Sequence, residues 1–390
     1  MKLLDLPFLA EITAIRRDIH AHPELAFEES RTADVVARAL ESYGIEVHRG
    51  LAGTGVVGVI KGTQGNSKRM IGLRADMDAL PMPELNEFPH RSRHAGKMHA
   101  CGHDGHTAML LGAARYLAEH RDFDGTVVLI FQPAEEGEGG ARVMIEQGLF
   151  QQFPVDAVFG LHNWPGLPVG QMAVMPGPVM AGTCGLEILI RGHGCHAAMP
   201  HQGVDTILVG TQIVQAMQSV VSRNLHPCDA GVISVTQFHA GDAWNVIPED
   251  AVLRGTIRTF KPEVQQLVEH RIQEICNGIA ATYGAQIEVR YEHRYPPTVN
   301  SAPEAHFCQE VASRLLGSEN VIKNELPSMG AEDFAYMLLE KPGCYVWLGN
   351  GPGEGGCTLH NPHYDFNDDI TALGISYWVS LTQDFLANKH

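Results

Sequence analysis

Residues 126–137 read TVVLIFQPAEEG. The run 126–131 is apolar and rich in β-branched and aromatic side chains, the composition of a strand buried on both faces. Pro133 ends it, and two adjacent carboxylates follow, Glu135 and Glu136. Active sites of open α/β sheets lie at the carboxyl ends of strands. There, one carboxylate can ligate a metal while its neighbour accepts a proton from metal-bound water. A bare Glu-Glu pair reads better as a solvated acidic loop, so its surroundings must decide.

Outward from this stretch, apolar runs at 55–60, 70–74 and 157–161 read as further strands. Phe8, Ile12, Ile15 and Ile19 recur at helical spacing, and Pro23 stops that helix. Further helices are expected over 29–43, with Gly44 as cap, and over 105–120 and 140–147. Strands alternating with helices imply an α/β fold with a mostly parallel sheet covered on both faces.

The pattern then changes. The glycine- and proline-bearing stretch 177–182 reads as a linker. Beyond it come a strand (186–191), a helix (206–223), two strands (232–238 and 251–260), a helix (263–283) and a strand (286–291). That β-α-β-β-α-β order is a ferredoxin-like α+β unit. Tyr295, Pro296 and Pro297 read as the return linker. A helix near 304–316, another at 331–339, a strand at 344–348 and a last helix from Asp368 complete the chain. The expected organisation is a catalytic domain over 1–181 and 295–390, interrupted by an inserted domain over 182–294.

Composition excludes several classes of function. The 390-residue chain carries 28 Lys and Arg against 45 Asp and Glu, a formal net charge of −17. Such a field repels nucleic-acid backbones and anionic membranes, so neither is an expected partner. The first residues, MKLLDLPFLAEI, do not form a signal-peptide pattern, and the eight cysteines include no C-x-x-C pair. Both features lead to the expectation of a cytoplasmic protein with reduced thiols.

Three more segments share the chemistry of 126–137. MHACGHDGH, at 98–106, sets Cys101 and His103 two residues apart in a glycine-bearing turn before a helix. A thiolate and an imidazole are good ligands for a borderline cation such as zinc, although a buried Cys beside surface histidines reads as well from this segment alone. His162, in GLHN, closes the apolar run 157–161. His360, in TLHNP, follows the strand 344–348 and a glycine-rich loop. Cys101, His103, Glu136, His162 and His360 exceed the needs of one tetrahedral ion with an open position. They suit two ions sharing a bridging ligand.

The motifs LRADMDALPM (73–82), MHACGHDGHTAML (98–110), FQPAEEG (131–137), GLHNWP (160–165), GHGCHAAMPHQGVD (192–205), NVIPE (245–249), GTIRTF (255–260), MGAEDF (329–334) and LHNPHYDF (359–366) occur in this order. Together they resemble the M20 family of metallopeptidases and amidohydrolases, most closely its hippurate hydrolase and indole-acetyl-amino-acid hydrolase branch. The resemblance implies two divalent metal ions per subunit (Zn, Mn, Ni or Co) held by Cys101, His103, Glu136, His162 and His360. It implies Glu135 as general base and Asp78 as the carboxylate that orients a ligand. Asp76 stands where many relatives carry a metal-binding His and is not counted as a ligand.

The inserted domain resembles the family's lid and dimerisation domain. By that resemblance His196 supports the oxyanion from a neighbouring subunit, and Asn245 and Arg258 meet the substrate carboxylate or the developing oxyanion. Without the family, Arg258 reads as a strand residue paired across a sheet. The implied activity is hydrolysis of the amide bond of N-acyl amino acids by a homodimer or homotetramer. A dipeptidase, a carboxypeptidase, a carbamate hydrolase, and a binding protein that kept the fold are the alternatives.

Overall fold

The structure, a computed structural model, describes residues 3–351 and 358–387. The glycine-rich stretch expected before His360, and Cys357, fall mostly or wholly outside the described residues. The chain divides into two compact units: residues 1–179, 299–326 and 333–390, and residues 180–298 with 327–332.

The first unit is built on an eight-stranded sheet. Its strands run in the order Glu46–Leu51, Gly55–Lys61, Thr126–Gln132, Met70–Asp76, Ala157–Pro165, Gly343–Gly351, Met172–Ala173 and Val321–Ile322. The four strands from Thr126–Gln132 to Gly343–Gly351 are mutually parallel, and antiparallel pairs occur only outside them. Val127 to Gln132 are buried without a break, which requires cover on both faces of the sheet. Helices Leu9–Ala21, His103–Glu119 and Thr371–Phe385 pack together, while Gly140–Glu146 and Phe334–Glu340 pack on one another. One large apolar core includes Ile12, Leu111, Phe131, Phe159 and Trp378.

The second unit is a four-stranded antiparallel sheet in the order Gly231–His239, Asp250–Thr259, Gly182–Arg191 and Gln286–Tyr295. Burial alternates along Gly182–Arg191, as it must when one face is covered and the other is not. Thr206–Ser219 and Pro262–Tyr283 are the covering helices, and they share a core with Ile188, Ile190 and Leu253.

Several elements differ from the sequence reading. The supposed linker 177–182 is mostly strand, Gly177–Met180 running almost directly into Gly182–Arg191. Its glycines and prolines suggested a loop, but tertiary pairing overrides that preference. Residues 327–332 group with the second unit, where the Ala181 amide donates to the carbonyls of Ser328 and Gly330, each at 3.0 Å. The helix expected at 331–339 begins only at Phe334. Among the described residues, no helix is long and apolar enough to cross a membrane.

Candidate metal centre

Because four neighbouring strands are parallel, their carboxyl ends lie along one edge of the sheet. Asp78 follows Met70–Asp76, Glu135 and Glu136 follow Thr126–Gln132, His162 lies late in Ala157–Pro165, and His360 comes after Gly343–Gly351. Cys101 and His103 enter at the start of helix His103–Glu119. Gly102 between them takes φ 96°, and a Cβ there would collide with Asn163 Oδ1 and the Tyr364 hydroxyl. Only glycine lets this turn press against that wall.

The fold therefore gathers groups that are far apart in sequence. The ligand atoms of Cys101, His103 and His162 lie within 4.8 Å of one another, as do those of Cys101, Glu136 and His360 and those of His103, Glu135 and Glu136. Cys101 belongs to two of these triplets and is buried. Two residues at the site occupy the left-handed region, Ala134 at φ 56° and His360 at φ 60°. Non-glycine residues persist there only when their surroundings enforce it. The His360 amide donates to the carbonyl of Ala100 at 2.8 Å, tying its loop to the Cys101 segment.

Hydrogen bonding orients the imidazoles. His103 Nδ1 lies 3.0 Å from the Asp78 carbonyl oxygen and 3.2 Å from Asp78 Oδ1, while its buried Nε2 has no hydrogen-bond partner. His162 donates from Nδ1 to the Asn163 carbonyl at 2.6 Å, which turns Nε2 toward Cys101 Sγ, 3.4 Å away. This is the arrangement of metal-binding histidines: one nitrogen fixed by a protein oxygen, the other aimed inward. Glu136 Oε1 is likewise buried without a hydrogen bond, although His360 Nε2 approaches it to 3.3 Å.

Asp78 supports two of these groups, because its Oδ2 also accepts from the Glu136 amide at 2.9 Å. Glu135 is buried, and its Oε1 accepts from the Asp333 amide at 3.3 Å. The Asp333 carboxylate in turn accepts from Arg74, Gln132 and the Ala141 amide.

The electrostatics call for positive charge. Burial opposes a proton on His103, yet Asp76, Cys101 and Asp78 hold it well above the ordinary imidazole range. Contact with Cys101 and then Glu136 pushes His360 up to about 10. Burial raises the Cys101 thiol, and Glu136 adds to this. Burial and neighbouring His106 push His162 well below its usual range, leaving it neutral and able to ligate. A soft thiolate, imidazoles and carboxylates around one buried nitrogen, His103 Nε2, and one buried oxygen, Glu136 Oε1, that lack hydrogen bonds fit borderline divalent cations.

The sequence reading passed over the shell behind these groups. Asp76 is buried and engaged: Oδ1 lies 2.6 Å from His106 Nδ1, and Oδ2 accepts from Arg74 at 2.7 Å. His106 Nε2 lies 2.7 Å from Asn163 Oδ1 and 3.0 Å from the Asn163 amide nitrogen, and Asn163 Nδ2 donates to the Tyr364 hydroxyl. His106, Asn163 and Tyr364 all sit inside quoted motifs, so closeness to the ligands was the available signal.

His196, Asn245 and Arg258 belong to the second unit. His196 pairs with Val246 in a short two-stranded ladder, and the Asn245 carbonyl accepts from the Ala197 amide at 2.9 Å, so these two are neighbours. Half-buried Arg258 donates to the hydroxyls of Thr183 and Thr256. Among the described residues it pairs with no carboxylate.

The sequence pattern of peptidase family M20/M25/M40 matches residues 72–384, three-quarters or more of the chain. The chain belongs to that family. Among its relatives, the hippurate hydrolase of Campylobacter jejuni is 42% identical, covering 99% of this chain and 98% of that protein. The N-acetylcysteine deacetylase of Bacillus subtilis is 40% identical, covering 97% of this chain and 98% of that protein. The solved structure of the YXEP protein of Bacillus subtilis, described as a dinuclear metal-binding peptidase of the M20 family, superposes with a TM-score of 0.87. It is 37% identical, covering 99% of this chain and all of that one.

Proposed function

We propose that this M20 protein is a metal-dependent amidohydrolase that cleaves the amide bond of N-acyl amino acids, releasing a carboxylic acid and a free amino acid. The observation that carries the reading is the orphaned Nε2 of His103 beside Cys101, Glu135 and Glu136. Similarity over 97–99% of the chain to a hippurate hydrolase and an N-acetylcysteine deacetylase supports the substrate class.

Two divalent ions fit the donors Cys101, His103, Glu136, His162 and His360; when bound, they supply Lewis acidity to the amide carbonyl and acidify water. Cys101 would be within reach of either ion, since it falls in a triplet with His103 and His162 and in another with Glu136 and His360. Its thiolate favours zinc, with manganese, nickel and cobalt as competitors.

Glu135 takes a proton from the attacking water and returns it to the leaving amine. Its hydrogen bond from the Asp333 amide holds the carboxylate toward His103 and Glu136. Asp78 orients His103 and Glu136. By the same reading, His196 of the second unit supports the oxyanion in a neighbouring subunit's site, while Asn245 and the Arg258 fork meet the substrate carboxylate or the developing oxyanion.

That unit serves as lid and dimerisation domain of a homodimer or homotetramer. Gly231–His239 is an edge strand, and Ile207, Leu208 and Phe238 in the same unit are exposed, features that suit a second copy. The reading includes a cytoplasmic setting, consistent with the unpaired thiols of all the described cysteines.

The test is a hydrolysis panel. Apo protein is reconstituted separately with Zn, Mn, Ni and Co, then assayed on hippurate, N-acetyl amino acids, dipeptides and N-carbamoyl amino acids. Preference for the first two classes is expected. Preference for dipeptides or carbamoyl compounds would replace the substrate assignment, and inertness of metal-loaded protein would remove the enzymatic one.

A further inference from the structure

Glu29 is completely buried, 105 residues from the loop it touches. Its Oε1 accepts from the Ala134 amide at 2.9 Å and from the Phe27 amide at 3.0 Å. Its Oε2 accepts from the Thr54 hydroxyl at 2.6 Å. Both amide donors belong to left-handed non-glycine residues, Phe27 at φ 61° and Ala134 at φ 56°. Ala134 directly precedes Glu135.

Helix capping does not explain this residue. Glu29 precedes helix Ser30–Ser42, but the first-turn amides of Arg31 and Thr32 donate to Glu24, at 3.0 and 2.8 Å. Nor does charge pairing: among the described residues no cation pairs with Glu29. Burial pushes its carboxyl up to about 7, against the Thr54 hydroxyl. A buried acid without a cation is unfavourable for folding unless its oxygens are hydrogen-bonded, and all three donors to Glu29 lie in turns and loops rather than in the helix it precedes.

The effect of one of these bonds is visible at Ala134. This residue is fully buried, so its amide needs a protein acceptor. Glu29 supplies the acceptor, while the Ala134 carbonyl is held by the Gly140 amide at 2.9 Å. The two bonds fix the peptide units on either side of the left-handed residue, and so set the direction in which the chain enters Glu135.

We propose that Glu29 is a positioning residue for the general base: its carboxyl group clamps the Ala134 amide and thereby aims Glu135. This deepens the proposed function and rests on Glu135 being the base.

The experiment compares Glu29→Ala, Glu29→Asp and Glu29→Gln in the full metal-loaded protein, reading hydrogen–deuterium exchange across 132–138 and steady-state kinetics on hippurate. The Asp variant withdraws the carboxylate by one methylene and keeps its charge, which serves if the Ala variant fails to fold. The Gln variant keeps an acceptor oxygen. Faster exchange in 132–138 is expected for Ala and Asp, with kcat lower by about 10²-fold, KM within about threefold, metal content unchanged, and Gln within about threefold of wild type. Wild-type exchange in 132–138 together with full kcat per metal-loaded subunit in the Asp variant would overturn the proposal. So would a Gln variant as impaired as Ala. Inert wild-type protein would sink the substrate reading, while the exchange data would still decide whether Glu29 holds the Ala134 turn.

Discussion

His103 Nδ1 lies 3.0 Å from the Asp78 carbonyl oxygen, and the opposite ring nitrogen is left buried without a hydrogen bond, its ion-pair neighbour being Asp76 Oδ2 at 3.7 Å. The Asp78 carboxylate adds a second hold on the same nitrogen and a third on the Glu136 amide. Asp78→Ala is therefore expected to weaken metal binding by about 10–100-fold, the usual effect of losing a supporting carboxylate. Chelator competition reads this directly. Unchanged affinity would show that the ligands hold their places without Asp78.

Glu135→Gln removes the proton acceptor and keeps the side-chain shape. Retention of both metals is expected, with kcat reduced by about 10²–10⁴-fold. Elemental analysis and turnover numbers on the same sample check both halves. A variant with near-normal kcat would take the base role away from Glu135.

Arg258 spends Nη1 on the Thr183 and Thr256 hydroxyls and the Ile257 carbonyl, and among the described residues no carboxylate pairs with its Nε or Nη2, the nitrogens proposed to meet a substrate carboxylate. In Arg258→Ala, KM for hippurate should rise by about 10–100-fold, the value of a charge-assisted hydrogen bond. The amide of hippurate, which lacks the free carboxylate, should be affected far less. Equal losses on both substrates would contradict the assignment.

A buried ionic cluster behind the Cys101–His103 turn makes stability depend on pH. His20 lies 2.9 Å from Asp104 and 3.2 Å from Glu84, and Arg16 lies 3.2 Å from Asp104. Burial disfavours charge on His20, but Asp104 prevails and raises it to about 9. A folded value above the unfolded one means that folding favours the charged ring. The stabilisation is thus complete below about pH 6.5 and disappears as pH rises through about 9; its size is on the order of 3 kcal/mol. Denaturant titrations of metal-saturated protein should show this decline, and His20→Gln should flatten it. A parallel decline in the variant would assign the effect to other groups.

Legibility in the sequence followed the range of the interactions. The strand at 126–131 was readable because burial on both faces leaves an unbroken apolar run, and it extends only one residue further, to Gln132. The edge strand Glu46–Leu51 was missed because half its residues are exposed and polar ones carry no apolar pattern. The four site segments were readable because each carries its own Cys, His or Glu, and parallel strands bring their ends together. Glu29 and the Arg74–Asp333 pair were not, since their meaning lies in contacts spanning 105 and 259 residues that leave no local trace.

The most direct test of the account is the anomalous diffraction of a crystal grown with saturating zinc. Two peaks are predicted, one bounded by Cys101, His103 and His162, the other by Cys101, Glu136 and His360, with Cys101 Sγ bridging. Ions bound elsewhere, or Cys101 Sγ turned away from both peaks, would contradict it.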